Sequence, residues 1–444
     1  MAITFVQKSA PGRRKKRPTV ALVLSGGAIS GGAFKVGGLL ALDMLFKDFT
    51  VMDCQMYLGI SAGSFLAAPL AAGIPPQETL RSFAGQSKRL SPFNAGTFYW
   101  PNFSELGEKA LTATREAAAL YPRTLWSLAR LAARSGPLAA SELRKLARSG
   151  KVDTLGIPSG TPRELTALME QLPSPAAFIP SGVFDNSRLE AYIRKNFQRE
   201  RIPNSFVLLK AERGKRLYIH AVDLDTAQDV FFGPDERNDV SISEAVQAST
   251  ALPGFYRPAK IAGRYYIDGN AKQTAPLELA VAKGADLTLC YNPFRPFRHA
   301  PTRTLSAKYD SLGDMGLTKV IDQSIRTLLY SRLSLAVQDL RNDPNFRGDL
   351  LVIEPAESDR DFFSINPLSF WKRAQAARHG FLTVARDVER NLSRLEEFFG
   401  RHGLDLEVGR LEYVSEKLAE ASSDQQILDV LTTPPLPGAW RRRR

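Results

Sequence analysis

The stretch "LVLSGGAISGGAFKVGGL" at residues 22–39 sets glycines and serines between two apolar runs, and few folds accommodate that order. To its left, "PTVALVLSG" is β-branched and leucine-rich between Pro18 and Gly26, the pattern of a fully buried strand. To its right, "GGLLALDMLFKDF" carries Leu39, Leu42 and Phe46 at helical spacing on one face. Glycine-rich chain between a buried strand and a helix leaves backbone N–H groups uncovered at the helix's positive end. Such groups suit either a phosphate or a developing oxyanion.

The pattern continues as strand, glycine loop, helix, strand, tight turn and helix over residues 19–76, the alternation that builds a parallel sheet covered by helices. From 77 to 180 alanine, leucine and arginine dominate and strand signals stop, which predicts a helical insertion. Strand-like runs return in "SFVLLKAERGKRLYIHAVDLDT", "DVFFG", "KIAGRYYIDGN" and "DLTLCYN". Residues 301–434 read mainly as helices, with "DLLVIEPA" as a strand candidate between them. The expected class is therefore α/β, a mostly parallel central sheet over residues 19–300 with a helical insertion and a largely helical C-terminal region.

At 444 residues and 44% hydrophobic content, the chain can bury a large core as one elaborated domain or two. No run approaches the ~18 uninterrupted apolar residues of a membrane span, and "MAITFVQKSAPGRRKKRP" has no apolar stretch of the secretory kind. Cys54 and Cys290 alone offer no disulfide framework, which suits a reducing compartment. Of the net charge of +13, "RRKKR" at 13–17 carries five and "RRRR" at 441–444 carries four, leaving +4 for the rest. Residues 1–18 and 435–444 thus read as basic tails attracted to a polyanion, a membrane surface or nucleic acid. Nucleic acid is not expected as a partner, because zinc spacing, RNA-binding aromatic–basic signatures and a helix-turn-helix pattern are all missing from the sequence. Cytoplasmic residence with peripheral membrane contact is the expectation that follows.

"MYLGISAGSFLAAPLAAG" contains G-x-S-x-G at Gly59, Ser61 and Gly63, with an apolar run before it and a helical run after it. A serine on a sharp strand-to-helix turn is exposed by strained backbone, and its small neighbours let helix and substrate come close. It needs a base. His220 lies inside a strand pattern, and His299, His379 and His402 show no recognisable triad order. In "RYYIDGNAKQTAP", Asp268 ends a strand and can serve if held beside the serine, although Asp-Gly alone also makes an ordinary hairpin turn.

Together, the glycine loop after the first strand, G-x-S-x-G on the next strand-turn-helix and Asp-Gly closing a later strand resemble the patatin-like phospholipase family. "SGVFDNSRLEAYIRKNF", "LYIHAVDLDTAQDVFFG", "ISEAVQASTALPGFYRPAKIAGRYYIDGN" and "PLELAVAKGAD" are similar to that family's core in family order, so the likeness spans about residues 19–76 and 181–293. The resemblance implies Ser61 as nucleophile, Asp268 as the catalytic acid/base, an oxyanion hole from Gly26, Gly27 and Ala28, and supporting roles for Gly31, Gly59, Gly63 and Gly269. It implies no metal and no cofactor. The family loop G-G-G-x-[K/R]-G is here "GGAISG", with Ala28 for the third glycine and Ser30 for the basic residue, and one extra residue precedes "GAFKVG". Lys35 could replace the charge absent at Ser30. A P-loop is excluded because Lys35 is followed by Val36, not by serine or threonine. Asn270 stands where the family commonly has Gly or Ala after Asp-Gly, a change expected to touch the turn more than the acid.

The implied activity is hydrolysis of phospholipid or related lipid esters. Two rivals remain at the level of sequence: a catalytically weak or inactive lipid-binding scaffold, suggested by the altered glycine loop, and acyl transfer to an alcohol. "PRTLWSLARLAAR" places Arg123, Arg130 and Arg134 on one helical stripe opposite Leu125, Leu128 and Ala132. That helix suits either an anionic membrane surface or packing on its own domain. Head group, chain length and oligomeric state are not encoded in any motif.

Overall fold

The structure is a computed structural model that describes residues 3–10, 18–105, 107–109, 111, 180–299 and 310–433. In chain order its strands are β1 Ile3–Gln7, β2 Val20–Leu24, β3 Met56–Ile60, β4 Gly182–Phe184, β5 Arg216–Asp223, β6 Asp229–Phe232, β7 Gly254–Tyr256, β8 Ala259–Ile261, β9 Arg264–Asp268, β10 Leu287–Tyr291 and β11 Asp349–Ile353. The helices used below are α1 Ala28–Leu45, α2 Ala62–Ala71, α3 Pro76–Phe83, α4 Ala95–Phe98, α5 Ser187–Arg199, α6 Phe206–Arg213, α7 Ile242–Thr250, α8 Leu277–Ala282, α9 Leu317–Asn342, α10 Arg360–Ser364 and α11 Arg373–Gly400.

Nine strands form one sheet in the order β1-β11-β10-β2-β3-β5-β9-β8, with β6 paired to β5. The middle pairs β11/β10, β10/β2, β2/β3 and β3/β5 are parallel, while β1, β6, β9 and β8 join antiparallel. This is the mostly parallel, helix-covered sheet that the alternation predicts. Its central strands, "VALVL", "MYLGI", "LTLCY" and "DLLVI", are buried at every position, because a parallel sheet covered on both faces leaves no side for water. "DLLVIEPA" does supply a strand.

Two expectations need correction. Residues 1–18 are not all free tail, since Ile3–Gln7 pairs with β11 at the sheet edge; the basic run that follows masked a short apolar strand. The basic runs at 13–17 and 441–444 lie outside the described residues. The insertion also starts later than 77: α3 and α4 belong to the large unit, Met1–Trp100 with Phe184–Arg444, while Pro101–Val183 forms a second unit. In that second unit Glu105 accepts from the Ser181 N–H and hydroxyl, and the Asn102 N–H donates to Val183 O. The Arg123, Arg130 and Arg134 stripe falls outside the described residues.

Helix α1 departs from the one-faced pattern its leucines suggest. By length and composition it could cross a membrane, yet 89% of it is buried, which is the state of a core helix apolar all round. One side rests near the sheet and the other meets α11, where a Cβ on Gly37 would stand 1.8 Å from Ala377 O and one on Gly380 1.9 Å from Phe34 O. Only glycine lets the two backbones touch. The C-terminal helices thereby complete the core around the glycine loop.

Candidate active site

Strand register brings the sequence-selected residues together. Ile60 of β3 lies beside His220 of β5, and Ala221 of β5 lies opposite Asp268 of β9, so Ser61 and Asp268 flank β5 at one level. Leu24 pairs with Gly59, which sets the glycine loop on the next strand over, at the same carboxyl edge. Ligands of open parallel sheets bind at that edge.

Ser61 ends β3 and caps α2 with φ 54 and ψ −128, a left-handed conformation that a side chain resists. Its surroundings hold it there. The Ser61 N–H donates to Ser249 Oγ of α7 at 2.8 Å, and its carbonyl accepts from Ser64 Oγ at 2.7 Å and Ser64 N at 2.9 Å. Gly63 is required by proximity, since a Cβ there would sit 2.0 Å from Leu24 O.

Asp268 is buried, and its Oδ1 accepts from the Asn270 N–H at 2.9 Å and Asn270 Nδ2 at 3.0 Å. Asn270 therefore touches the acid directly through both its backbone and its side chain, where the change was expected to touch the turn more than the acid. Oδ2 meets no donor in hydrogen-bond geometry, although the Ser61 hydroxyl lies near enough to favour the carboxylate. The two groups face one another without a well-formed hydrogen bond. Burial pushes the Asp268 carboxyl up from 3.8 to about 6, against the opposing pull of Ser61, the Asn270 donors and the Lys35 charge.

The glycine loop turns at Gly27, whose φ of 136 needs a residue without Cβ, and Ala28 follows with φ 51. The Ile29 and Ser30 N–H groups both donate to the carbonyl of Pro367 at 3.1 Å, and Gly31 N–H returns to Gly27 O. Among the described residues, the N–H groups of Gly26, Gly27 and Ala28 have no partner. Of the three residues from which the resemblance implies an oxyanion hole, Gly27 and Ala28 line the cavity that Ser61 borders, and Gly26 does not. Lys35 does not project into the site to replace a charge at Ser30. It is wholly buried behind the loop and donates from Nζ to Gly26 O at 2.5 Å. Burial lowers its pKa to about 7, while Asp268 and then Cys290 pull it upward.

Gly27, Ala28, Ser61 and Asp268 line one cavity of about 530 Å³, otherwise walled largely by apolar groups such as Phe65, Phe98, Phe255 and Ile325. No histidine lines it. His220, His379 and His402 pair with Asp229, Asp359 and Asp349, and His299 faces Asp310 O. Sequence reasoning missed Ser249, the inward course of Lys35 and the whole contribution of α9; the first and last are contacts between residues distant in the chain, and Lys35 turns back on Gly26, nine residues before it, in a direction that no motif states.

The family model for patatin-like phospholipases matches residues 22–281, well over half of the chain. The chain belongs to the patatin-like phospholipase family. Among solved structures, this patatin-like chain is similar to VipD from Legionella pneumophila at 14% identity, with 98% of this chain and 94% of that one covered and a TM-score of 0.31. It is also similar to the heterodimeric ExoU–SpcU complex of Pseudomonas aeruginosa, at 16% identity over 99% and 74% of the chains with a TM-score of 0.28. Human GIVD cytosolic phospholipase A2, in complex with methyl gamma-linolenyl fluorophosphonate, matches at 14% identity over 86% and 59%, with a TM-score of 0.28.

Proposed function

We propose that the protein is a serine lipid acyl hydrolase that cleaves carboxylic esters of phospholipids or related lipids. The observation that carries this reading is the meeting of Ser61, a free Asp268 oxygen and unpartnered N–H groups in one apolar cavity. Phosphate binding would use the same N–H groups but would not need a strained serine facing a buried carboxylate. An apolar chamber instead suits an acyl chain.

In the proposed reaction Ser61 Oγ attacks the ester carbonyl carbon as its proton passes to Asp268 Oδ2. The carbonyl π electrons move to oxygen, and the N–H groups of Gly27 and Ala28, which line the cavity, stabilise the resulting oxyanion. Collapse breaks the bond to the alcohol oxygen, which leaves with the proton from Asp268. Water then gives a proton to Asp268 and attacks the acyl-serine, and collapse returns that proton to Ser61 with release of the fatty acid. A base with a pKa near 6 is ionised at neutral pH yet basic enough to share the serine proton.

The test compares wild type, Ser61→Ala and Asp268→Asn on a short-chain chromogenic ester and on mixed anionic phospholipid vesicles, following released fatty acid. Turnover in wild type that disappears in both variants supports the reading. Folded wild type with no Ser61-dependent turnover on either substrate overturns it in favour of a lipid-binding scaffold. Products that incorporate an added alcohol would redirect it to acyl transfer.

A further inference from the structure

Helix α9 carries two apolar stripes. The inner one, Leu329, Leu333, Val337 and Leu340, is buried as an amphipathic helix requires. The outer one is uncovered: Leu317 is 74% exposed, Ile321 48%, Ile325 46% and Leu328 61%. These positions recur at helical spacing on one face, and the intervening face residue is Ser324, so no charge interrupts them before Arg332.

A contiguous exposed apolar ridge marks a contact surface for something apolar. The nature of that contact follows from a second observation: Ile321, Ile325 and Leu328 are also wall residues of the Ser61 cavity. The ridge therefore passes from solvent into the chamber, beside Thr318 and an Asp322–Arg326 pair whose charges meet each other at 3.0 Å. At its end the exposed Arg332 is anchored by Nη1 to Ala271 O at 2.9 Å, in the turn that follows Asp268. An uncharged ridge bordered by a cation fits the apolar interior and anionic head groups of a bilayer.

We infer that the outer stripe of α9 rests on a phospholipid bilayer, so that an acyl chain leaves the bilayer along Ile321, Ile325 and Leu328 and enters the cavity. The inference builds on the lipid-ester reading of the cavity, but the residues that test it are different. Leu317 and Val320 are exposed on or beside the ridge and do not line the cavity.

Binding is measured by flotation with equimolar phosphatidylcholine and phosphatidylglycerol vesicles, in a Ser61→Ala background that leaves the lipid intact. Leu317→Glu with Val320→Glu is expected to lower the bound fraction by about tenfold or more, because charges replace side chains that enter the interface. The same pair in the otherwise wild-type chain should slow vesicle hydrolysis in parallel and leave the short-chain ester rate unchanged. Leu317→Trp should strengthen vesicle binding, and this gain decides the matter where the glutamate pair fails to fold. Unchanged vesicle binding by a folded glutamate pair, or no gain with Leu317→Trp, overturns the inference. So does self-association of the wild type without vesicles that the glutamate pair abolishes, since the ridge would then belong to a second copy. Stripe-dependent vesicle binding with no Ser61-dependent turnover on any ester supports the docking face and counts against the hydrolase.

Discussion

Two non-glycine residues with left-handed backbone border the same cavity, Ser61 at φ 54 and Ala28 at φ 51, and their supports differ. Ser61 is gripped on both sides, its N–H by Ser249 and its carbonyl by Ser64. Ala28 has an unpartnered N–H, and the residues after it lean on the Pro367 carbonyl from a distant segment. A left-handed alanine costs roughly 1–2 kcal/mol, and Ser61, whose ψ of −128 takes it outside the αL well, costs roughly 1–3 kcal/mol. At Ser61 the turn brings the hydroxyl to Asp268, which the proposed nucleophile requires. At Ala28 the group that the proposed reaction would use is the backbone N–H, which glycine also carries. The elbow is over-determined, whereas the loop depends on braces from outside it, chiefly Lys35 at Gly26 O and Pro367 at Ile29 and Ser30.

The sharpest test of the elbow is Asp268→Asn. The short-chain ester rate should fall by about a thousandfold or more, because the serine loses its base. Stability should move the other way. The folded-state pKa of about 6 lies above the ordinary 3.8, so the folded form holds its proton more tightly. Stability is therefore lost as pH rises from about 4 to 6, and the penalty is complete above that window. Removing the carboxylate should recover on the order of 2–3 kcal/mol at pH 7, read from urea melts of both chains. A variant less stable than wild type at pH 7 would show that the carboxylate is structural and would break the contrast.

The corresponding test of the loop is Lys35→Met, which keeps the bulk and removes both the donor and the charge. A missing oxyanion donor is worth about 2.7–4 kcal/mol, and a loop that is misdirected rather than lost should give part of that, roughly a tenfold to hundredfold drop in kcat. The pH profile separates the roles. The Lys35 charge holds the Asp268 pKa down, so its removal should move the acid limb of the activity curve upward from about 6. A uniform loss at every pH would reduce Lys35 to packing.

What the sequence made legible follows the same division. Gly59, Ser61 and Gly63 could be read because an elbow is a local object, a buried strand, a tight turn and a helix within a dozen residues. Asp268 became visible only through its order relative to the two glycine motifs. Asn270 was misjudged because spacing does not say where a side chain points, and it turns back onto Asp268 Oδ1. Ser249, Lys35 and α9 act across folds of the chain that no periodicity encodes. The leucines of α1 suggested one buried face because periodicity cannot reveal a second neighbour, here α11, on the other side.

Ser249→Ala probes the grip on the elbow with a smaller effect. It leaves the buried Ser61 N–H without its acceptor, and an unmet buried donor costs about 1–3 kcal/mol. The loss should appear in the melting midpoint and in kcat, with the pH midpoint unmoved because the Asp268 partners remain. An unchanged melt would mean that water takes the place of the hydroxyl and that the elbow is held mainly by α2.

The smallest effect belongs to Ala28→Gly, which carries the loop back toward the family pattern. Relief of left-handed strain, about 1–2 kcal/mol, is opposed by about 0.4–1 kcal/mol of extra freedom gained by the unfolded chain. The net gain should lie between about 0 and 1.6 kcal/mol. If the methyl group at φ 51 only crowds substrate in the cavity, short-chain turnover should rise several-fold, with a smaller change in the melt. A fall in kcat would carry the opposite lesson. Glycine can rotate its N–H away from the oxyanion, so a slower variant would mean that the alanine holds its own donor in line. The strain at Ala28 would then be as purposeful as the strain at Ser61, and the contrast between elbow and loop would reduce to where each finds its support.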